Sequence, residues 1–400
     1  MIGKIKELAK KYEKEIIETR RRFHQNPETS WKEVETTKYI AETLKKLGCE
    51  NIKVGFGGTQ CGVTAEIVGK PGANEKCVAL RADIDALPLK DEKDVPYKSQ
   101  NENATHACGH DAHTAMLLAA ARILTDIKAD LKGKVRLLFQ PAEEHGVNPG
   151  AKALVDGGAM EGVDAVFGIH VMSTTPSGEF WYRVGPFMAA ADGWELTISG
   201  KGGHGSTPET AIDPTIAAGQ IIGAFQSIVA REVSAKDTAV VSIGGVKTSS
   251  FVFNIIPERA EMNGSVRTFR PEVQDHVEEA MKRIVDGVCA GTRCRGEFKY
   301  SRFLPATINE EKTTLLAKSV AEELFGAAKV KESPLNMGSE DFSYYSRIAP
   351  SAFAYLGTAS AEKKSDMPHH SPKFDVDESV LFMGAAMHAA FAWSCLEGKK

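Results

Sequence analysis

The stretch "THACGHDAHTAMLLAAARIL" (105–124) constrains this chain more than any other. Three histidines, a cysteine and an aspartate crowd positions 106–113, and an apolar helical run interrupted at Arg122 follows at once. A helix that is apolar all round is a buried helix. The polar cluster is therefore held where a buried element begins. Helix starts just beyond the carboxyl ends of strands are where open α/β sheets place their sites.

The surrounding periodicity agrees. "GVTAEIVG" (62–69), "CVALRADI" (77–84), "VRLLFQP" (135–141) and "AVFGIHV" (165–171) read as strands, with helical runs between the later ones. That alternation predicts an α/β sandwich on a parallel or mixed sheet. One helix is expected over 2–24, with Ile5, Leu8, Tyr12 and Ile16 on one face. A second is expected from "SWKE" (30–33), with Ser30 and Glu33 as a capping box and Val34, Ile40, Leu44 and Leu47 as its apolar stripe.

The texture changes near 188. Strand-like runs at 192–206, 237–250 and 259–270 alternate with long helices at 213–232 and 272–291. This reads as a small sheet with two helices on one face, inserted into the larger domain. The expected division is 1–187 with 298–400 as the metal-binding catalytic domain, and 188–297 as the insert. A chain of 400 residues is too long for one ordinary core, which fits two domains.

Net charge is −4 with no run of five like charges, so no nucleic-acid footprint is expected. No run approaching about 18 apolar residues is read, so no membrane span is expected. The charged N-terminus does not read as a signal peptide. Cysteines at 49, 61, 77, 108, 289, 294 and 395 are odd in number and scattered, which predicts free thiols and a reducing, cytoplasmic setting.

Eight of the eleven histidines fall in short clusters, at 106, 110, 113, 145, 170, 204, 369 and 370. "FQPAEEH" (139–145) ends a strand with Glu143–Glu144, and "FGIHV" (167–171) ends another with His170. A lone buried histidine is usually structural and adjacent glutamates usually lie on the surface. Together, a carboxylate pair, a Cys-x-His and further histidines at strand ends make up a metal site. Imidazole, carboxylate and thiolate suit zinc, and also manganese, cobalt or nickel. Cys108 as a nucleophile paired with His110 is the alternative, but it leaves Glu143, Glu144, His170 and His370 unexplained.

The chain resembles the M20 metallopeptidase family in its amidohydrolase branch. The resemblance is carried by "RRRFHQNPE", "LRADIDALP", "HACGHDAHTAMLL", "FQPAEE", "DAVFGIHV", "GKGGHGSTPE", "NIIPE", "GSVRTF", "MGSEDFSYY" and "HSPKFDVDE", in one order from about 20 to 380. It implies a mixed-sheet α/β/α domain with an inserted ferredoxin-like lid and dimerisation domain. It implies two divalent metal ions per subunit, zinc first. Cys108 would bridge them, and His110, Glu144, His170 and His370 would complete the ligands. Glu143 would be the general base. His204 would stabilise the oxyanion, Asn254 would contact substrate, and Arg267 would clamp its carboxylate. The bland reading of His204 is a flexible-loop histidine.

The wider family carries a His-x-Asp where this chain has "ADID" (82–85), so Asp83 stands in a ligand's place. Asp85 is expected to hold a ligand from behind. The loop after Glu144 departs from the branch's glycines, and His106, His113, His145 and His369 receive no role. His370 is preferred to His369 because it directly precedes "SPKFD". The implied reaction is hydrolysis of N-acyl amino acids to a carboxylic acid and a free amino acid. Metallocarboxypeptidase or dipeptidase activity, and a silent relative, are the alternatives. A homodimer or homotetramer through the insert is expected, with a small-molecule substrate.

Overall fold

The computed structural model describes residues 1–70 and 76–398. The chain begins with α1 (Ile2–Lys11), α2 (Glu13–Gln25), α3 (Val34–Lys46), β1 (Glu50–Val54), β2 (Val63–Val68) and β3 (Cys77–Asp83). It continues through α4 (His110–Asp126), β4 (Lys134–Gln140), α5 (Gly150–Asp156), β5 (Ala165–Pro176), β6 (Phe180–Tyr182) and β7 (Gly185–Met188). Next come β8 (Ala190–Ser199), β9 (Gly203–His204), α6 (Pro214–Ser227), β10 (Ala239–Thr248), β11 (Ile255–Ile256), β12 (Arg259–Thr268), α7 (Pro271–Gly291) and β13 (Arg295–Leu304). The chain closes with β14 (Thr307–Asn309), α8 (Glu311–Phe325), β15 (Val330–Glu332), α9 (Ser343–Ser346), β16 (Ser351–Ala359) and α10 (Leu381–Leu396).

These elements form two compact units. The first comprises Met1–Phe187, Ile308–Pro334 and Asp341–Lys400, and the second Met188–Thr307 and Leu335–Glu340. The first unit is built on an eight-stranded sheet of order β1-β2-β4-β3-β5-β16-β6-β15. Its centre is parallel: β3 pairs with β4 and β5, and β5 with β16. β1, β2 and β6 add antiparallel pairings, so the sheet is mixed. Alternation along β5 shows both faces covered. Phe167 stacks on Phe391 of α10 at 4.5 Å, while a side chain at Gly168 would collide with Phe342 beside α9.

The inserted unit holds a four-stranded antiparallel sheet of order β10-β12-β8-β13. With α6 after β8 and α7 after β12, this is the ferredoxin-like arrangement. Trp194, Leu196, Ile198, Ile221, Phe225 and Met281 share its core with both helices.

Four sequence readings change. The helix expected over 2–24 breaks at Tyr12, which closes α1 before α2 begins. The capping box at Ser30 and Glu33 is absent: α3 starts with no side-chain cap, and Val34 is exposed. Both side chains are used at the site instead. The division at 297/298 falls inside β13, which pairs with β8 from Arg295 to Leu304. Finally, Glu378–Leu396 is long and apolar enough to cross a membrane by length and composition. Its alanines, glycine and single histidine hide that length from a count of large apolar residues. Here it is a core helix, packed with α4 and α1.

Candidate metal and catalytic site

The site is built on the first unit's parallel strand ends. β3 ends at Asp83, level with Gln140 at the end of β4, and His170 lies in β5 opposite Tyr355 of β16. Helix α4 starts against these ends. Its N-cap, Gly109, has φ 87°, and a Cβ there would lie 2.3 Å from Val171 Cγ2. Only glycine lets the chain turn so close to β5. That turn sets Cys108 and His110 on either side of it.

Cys108 Sγ lies 3.5 Å from His170 Nε2 and 3.6 Å from His369 Nδ1. Two donor groups share it: Cys108 with His110 and His170, and Cys108 with Glu144 and His370, each with ligand atoms within 4.8 Å of one another. His110, Glu143 and Glu144 form a third group. His370 Nε2 sits 3.3 Å from Glu144 Oε1, yet that oxygen is buried without an aligned hydrogen bond, as is His110 Nε2. Buried polar atoms without partners are rare and call for an explanation.

The imidazoles are oriented from behind. His110 Nδ1 donates to the Asp85 carbonyl at 2.9 Å, with Asp85 Oδ1 at 3.1 Å. His170 Nδ1 donates to the Val171 carbonyl at 2.7 Å. These partners hold the Nδ1 proton in both rings and leave each Nε2 facing inward. Asp85 is held by Ser30 Oγ at 2.7 Å and also accepts from Glu144 N–H at 3.1 Å. Glu33 accepts from Ala142 N–H at 2.8 Å. Ala142 and His370 carry φ of 51° and 63°. Such strain persists where surroundings over-determine it, and the His370 N–H is tied to the Ala107 carbonyl at 2.8 Å.

Asp83 forms a further donor group with His110 and His113, and both its oxygens are engaged by neighbouring side chains. It accepts from Arg81 at 2.7 Å and from His113 Nδ1 at 2.5 Å, with His110 Nε2 at 3.7 Å. His113 Nε2 accepts the Val171 N–H at 2.8 Å, so both ring nitrogens are used and His113 is a brace between β3 and β5. Arg81 also reaches Gln140 and Asp341, and Gln140 donates to Asp341. Sequence reasoning missed His113, Ser30, Glu33 and Asp341. Asp341 lies in the "GSEDF" segment, its one visible signal.

Charge is concentrated here. Burial pushes the Cys108 thiol up, and Glu144, Glu143 and Asp83 push it further. A cysteine nucleophile needs the opposite shift, so the Cys108–His110 alternative finds no support. Burial pulls His110 down, but Asp83 and Asp85 outweigh it and hold its pKa at about 10. Burial lowers His170, and His113 and His369 add to that. Burial and His113 also take His369 to about 3. Carboxylates converging on a thiol and two inward-facing imidazole nitrogens are the donor chemistry of divalent cations, whose binding releases the thiol proton and the second proton held by His110. The residues present fit such ions.

Other expected residues lie elsewhere. His145 is exposed and its Nδ1 accepts the Asn148 N–H at 3.2 Å. His106 is buried with the His24 ring 6.4 Å away, and burial takes its pKa down to about 3. In the inserted unit, His204 is exposed on β9 and pairs with Ile255 of β11. Gly205 N–H donates to the Asn254 carbonyl at 2.8 Å, which places His204 and Asn254 side by side. Arg267 lies half-buried in β12, between Val240 and Ala191.

A mixed sheet bearing thiol, imidazole and carboxylate donors at its strand ends, interrupted by a ferredoxin-like unit, defines a metallopeptidase class of hydrolase. The chain belongs to peptidase family M20/M25/M40, which matches residues 79–394. It is 42% identical to thermostable carboxypeptidase 2 of Saccharolobus solfataricus, over 98% of each chain. It is 40% identical to an N-acetylcysteine deacetylase of Bacillus subtilis, over 97% of this chain and 98% of that one. The crystal structure of Bacillus subtilis YxeP, a dinuclear metal-binding peptidase from the M20 family, superposes with a TM-score of 0.84 at 36% identity, covering 97% and 99%. The protein is a hydrolase acting on amide bonds.

Proposed function

We propose that this enzyme hydrolyses the amide bond of N-acyl-L-amino acids with two divalent ions, zinc first and manganese, cobalt or nickel as alternatives. The observation that carries the reading is the pair of donor groups sharing Cys108, with His110 Nε2 and Glu144 Oε1 buried and without an aligned hydrogen bond. In this reading Cys108 is shared by both sites, and His110, Glu144, His170 and His370 complete them. Bound there, such ions supply Lewis acidity and acidify water. Glu143 takes the proton from the attacking water and hands it to the leaving amine. Asp85 holds His110 in its ligating tautomer. His204 donates to the oxyanion, Asn254 contacts substrate, and Arg267 pairs with its carboxylate.

A second reading, metallocarboxypeptidase or dipeptidase, is favoured by the carboxypeptidase relative at 42% identity. We further propose a homodimer or homotetramer through the inserted unit, whose edge strand β10 exposes Val240 and Val246. A cytoplasmic setting is supported by seven free cysteines.

The test is amine release from hippurate, N-acetyl amino acids, dipeptides and N-blocked peptides, by wild type and Glu143→Ala loaded with each metal. Cleavage of N-acyl amino acids by wild type, with a dead variant that still binds metal, is expected. An active Glu143→Ala would remove the base assignment. Preference for blocked peptides over N-acyl amino acids would make the enzyme a carboxypeptidase.

A further inference from the structure

Three ring nitrogens face the space around Cys108 or stand beside it, and they do not face it in the same way. His110 and His170 each donate from Nδ1 to a backbone carbonyl and turn Nε2 inward. His369 is the reverse. Its Nε2 accepts the Ser173 backbone N–H at 3.3 Å, and its Nδ1 points at Cys108 Sγ, 3.6 Å away. A backbone N–H can only donate, so in the neutral ring Nε2 is the bare nitrogen and Nδ1 carries the hydrogen. What faces the sulfur is an N–H, not a lone pair. The ring is locked in that pose by packing on Phe374 at 4.8 Å and against His170 at 5.2 Å. His370 follows with φ 63°, which swings its own ring away toward Glu144. The adjacent histidines therefore have opposite tasks.

We propose that His369 is a positioning residue that donates an Nδ1–H hydrogen bond to the sulfur of Cys108, rather than a metal ligand. The inference rests on the reading of Cys108 as a metal-bound thiolate. A hydrogen bond to an ionised sulfur in a buried site is charge-assisted. It draws electron density from the sulfur, so less is given to the metals. It also fixes the sulfur's position between the two donor groups. Partners behind the ligands commonly tune a metal in this way.

Cobalt(II)-loaded protein tests this without recourse to activity. Wild type is expected to bind two cobalt ions and to show a sulfur-to-cobalt charge-transfer band. In His369→Leu the sulfur is richer in electrons, so the band moves to longer wavelength while two ions remain. His369→Gln, whose amide can both accept from Ser173 and donate to sulfur, is expected to lie between the two and covers a folding defect in the leucine variant. Loss of one cobalt ion in either variant would make His369 a ligand and overturn the proposal. An unshifted band with two ions in both variants would overturn it as well. A wild type without the band would remove the thiolate reading itself, which is a distinct failure.

Discussion

Arg20 of α2 and Asp111 of α4 form an ion pair, Nε to Oδ2 at 2.8 Å, with neither side chain exposed. The same guanidinium reaches Asp375 at 2.8 Å and Glu378 at 3.2 Å. Asp111 adjoins His110, and Asp375 follows the His369–His370 segment, so one cation from the N-terminal region ties together two segments that carry candidate donors. Removing one partner of a buried pair strands the others, at about 3–5 kcal/mol. Arg20→Met is expected to lose that much in urea unfolding. Arg20→Lys is expected to recover little, because a single ammonium cannot span three carboxylates. A loss below about 1 kcal/mol in Arg20→Met would contradict this.

Glu33 predicts a pH dependence. Burial, with Asp85 adding to it, raises its pKa to about 7. The folded state therefore holds a proton that the unfolded chain has already released. Stability falls as pH rises from near 4.5 to about 7 and is level above that. Glu33→Gln can still accept from Ala142 N–H and does not ionise. Relative to wild type, it is expected to be more stable at pH 8 than at pH 5, by on the order of 3 kcal/mol. Equal stability differences at both pH values would show that Glu33 ionises normally.

Gly109→Ala is expected to damage both fold and site. The left-handed backbone costs an alanine roughly 1–2 kcal/mol, and the clash with Val171 adds about 1–3 kcal/mol. Since Cys108 and His110 flank this turn, weaker metal retention on gel filtration is expected with the lower Tm. A variant with wild-type Tm and metal content would show that the turn tolerates a side chain.

Chelation should destabilise. Asp83, Asp85, Glu143 and Glu144 surround Cys108 and His110, and cations bound only by the folded state add about 4 kcal/mol at a thousandfold excess over Kd. EDTA is expected to lower Tm, and added zinc to restore it. An unchanged Tm in wild type would contradict metal binding at these residues.

Much of this was legible locally. The run after Thr114 is apolar but for Arg122, so burial of α4 followed from sequence alone, and with it the enclosure of Cys108 and His110. Strand endings at Asp83 and Gln140 could be read within a residue, whereas β5 runs on from His170 to Pro176 and places His170 inside the strand. The capping box could not be judged, because Ser30 and Glu33 have the right spacing for a local bond but find better partners in Asp85 and Ala142, far along the chain. β13 was missed although residues 295–300 alternate between exposed and half-buried, and backbone pairing with β8 defines it.

The sequence by itself determined which chemistries were available: a thiol, imidazoles and paired carboxylates at the ends of buried elements, in an order shared with one hydrolase family. Only the tertiary structure decided the division of labour among them. "HH" at 369–370 and the histidines at 110 and 113 are alike as letters. They differ because a ring's role is set by what its other nitrogen touches: Asp85 behind His110, the Val171 N–H behind His113, the Ser173 N–H behind His369. Those partners come from distant strands, and no local pattern encodes which of them a ring will meet.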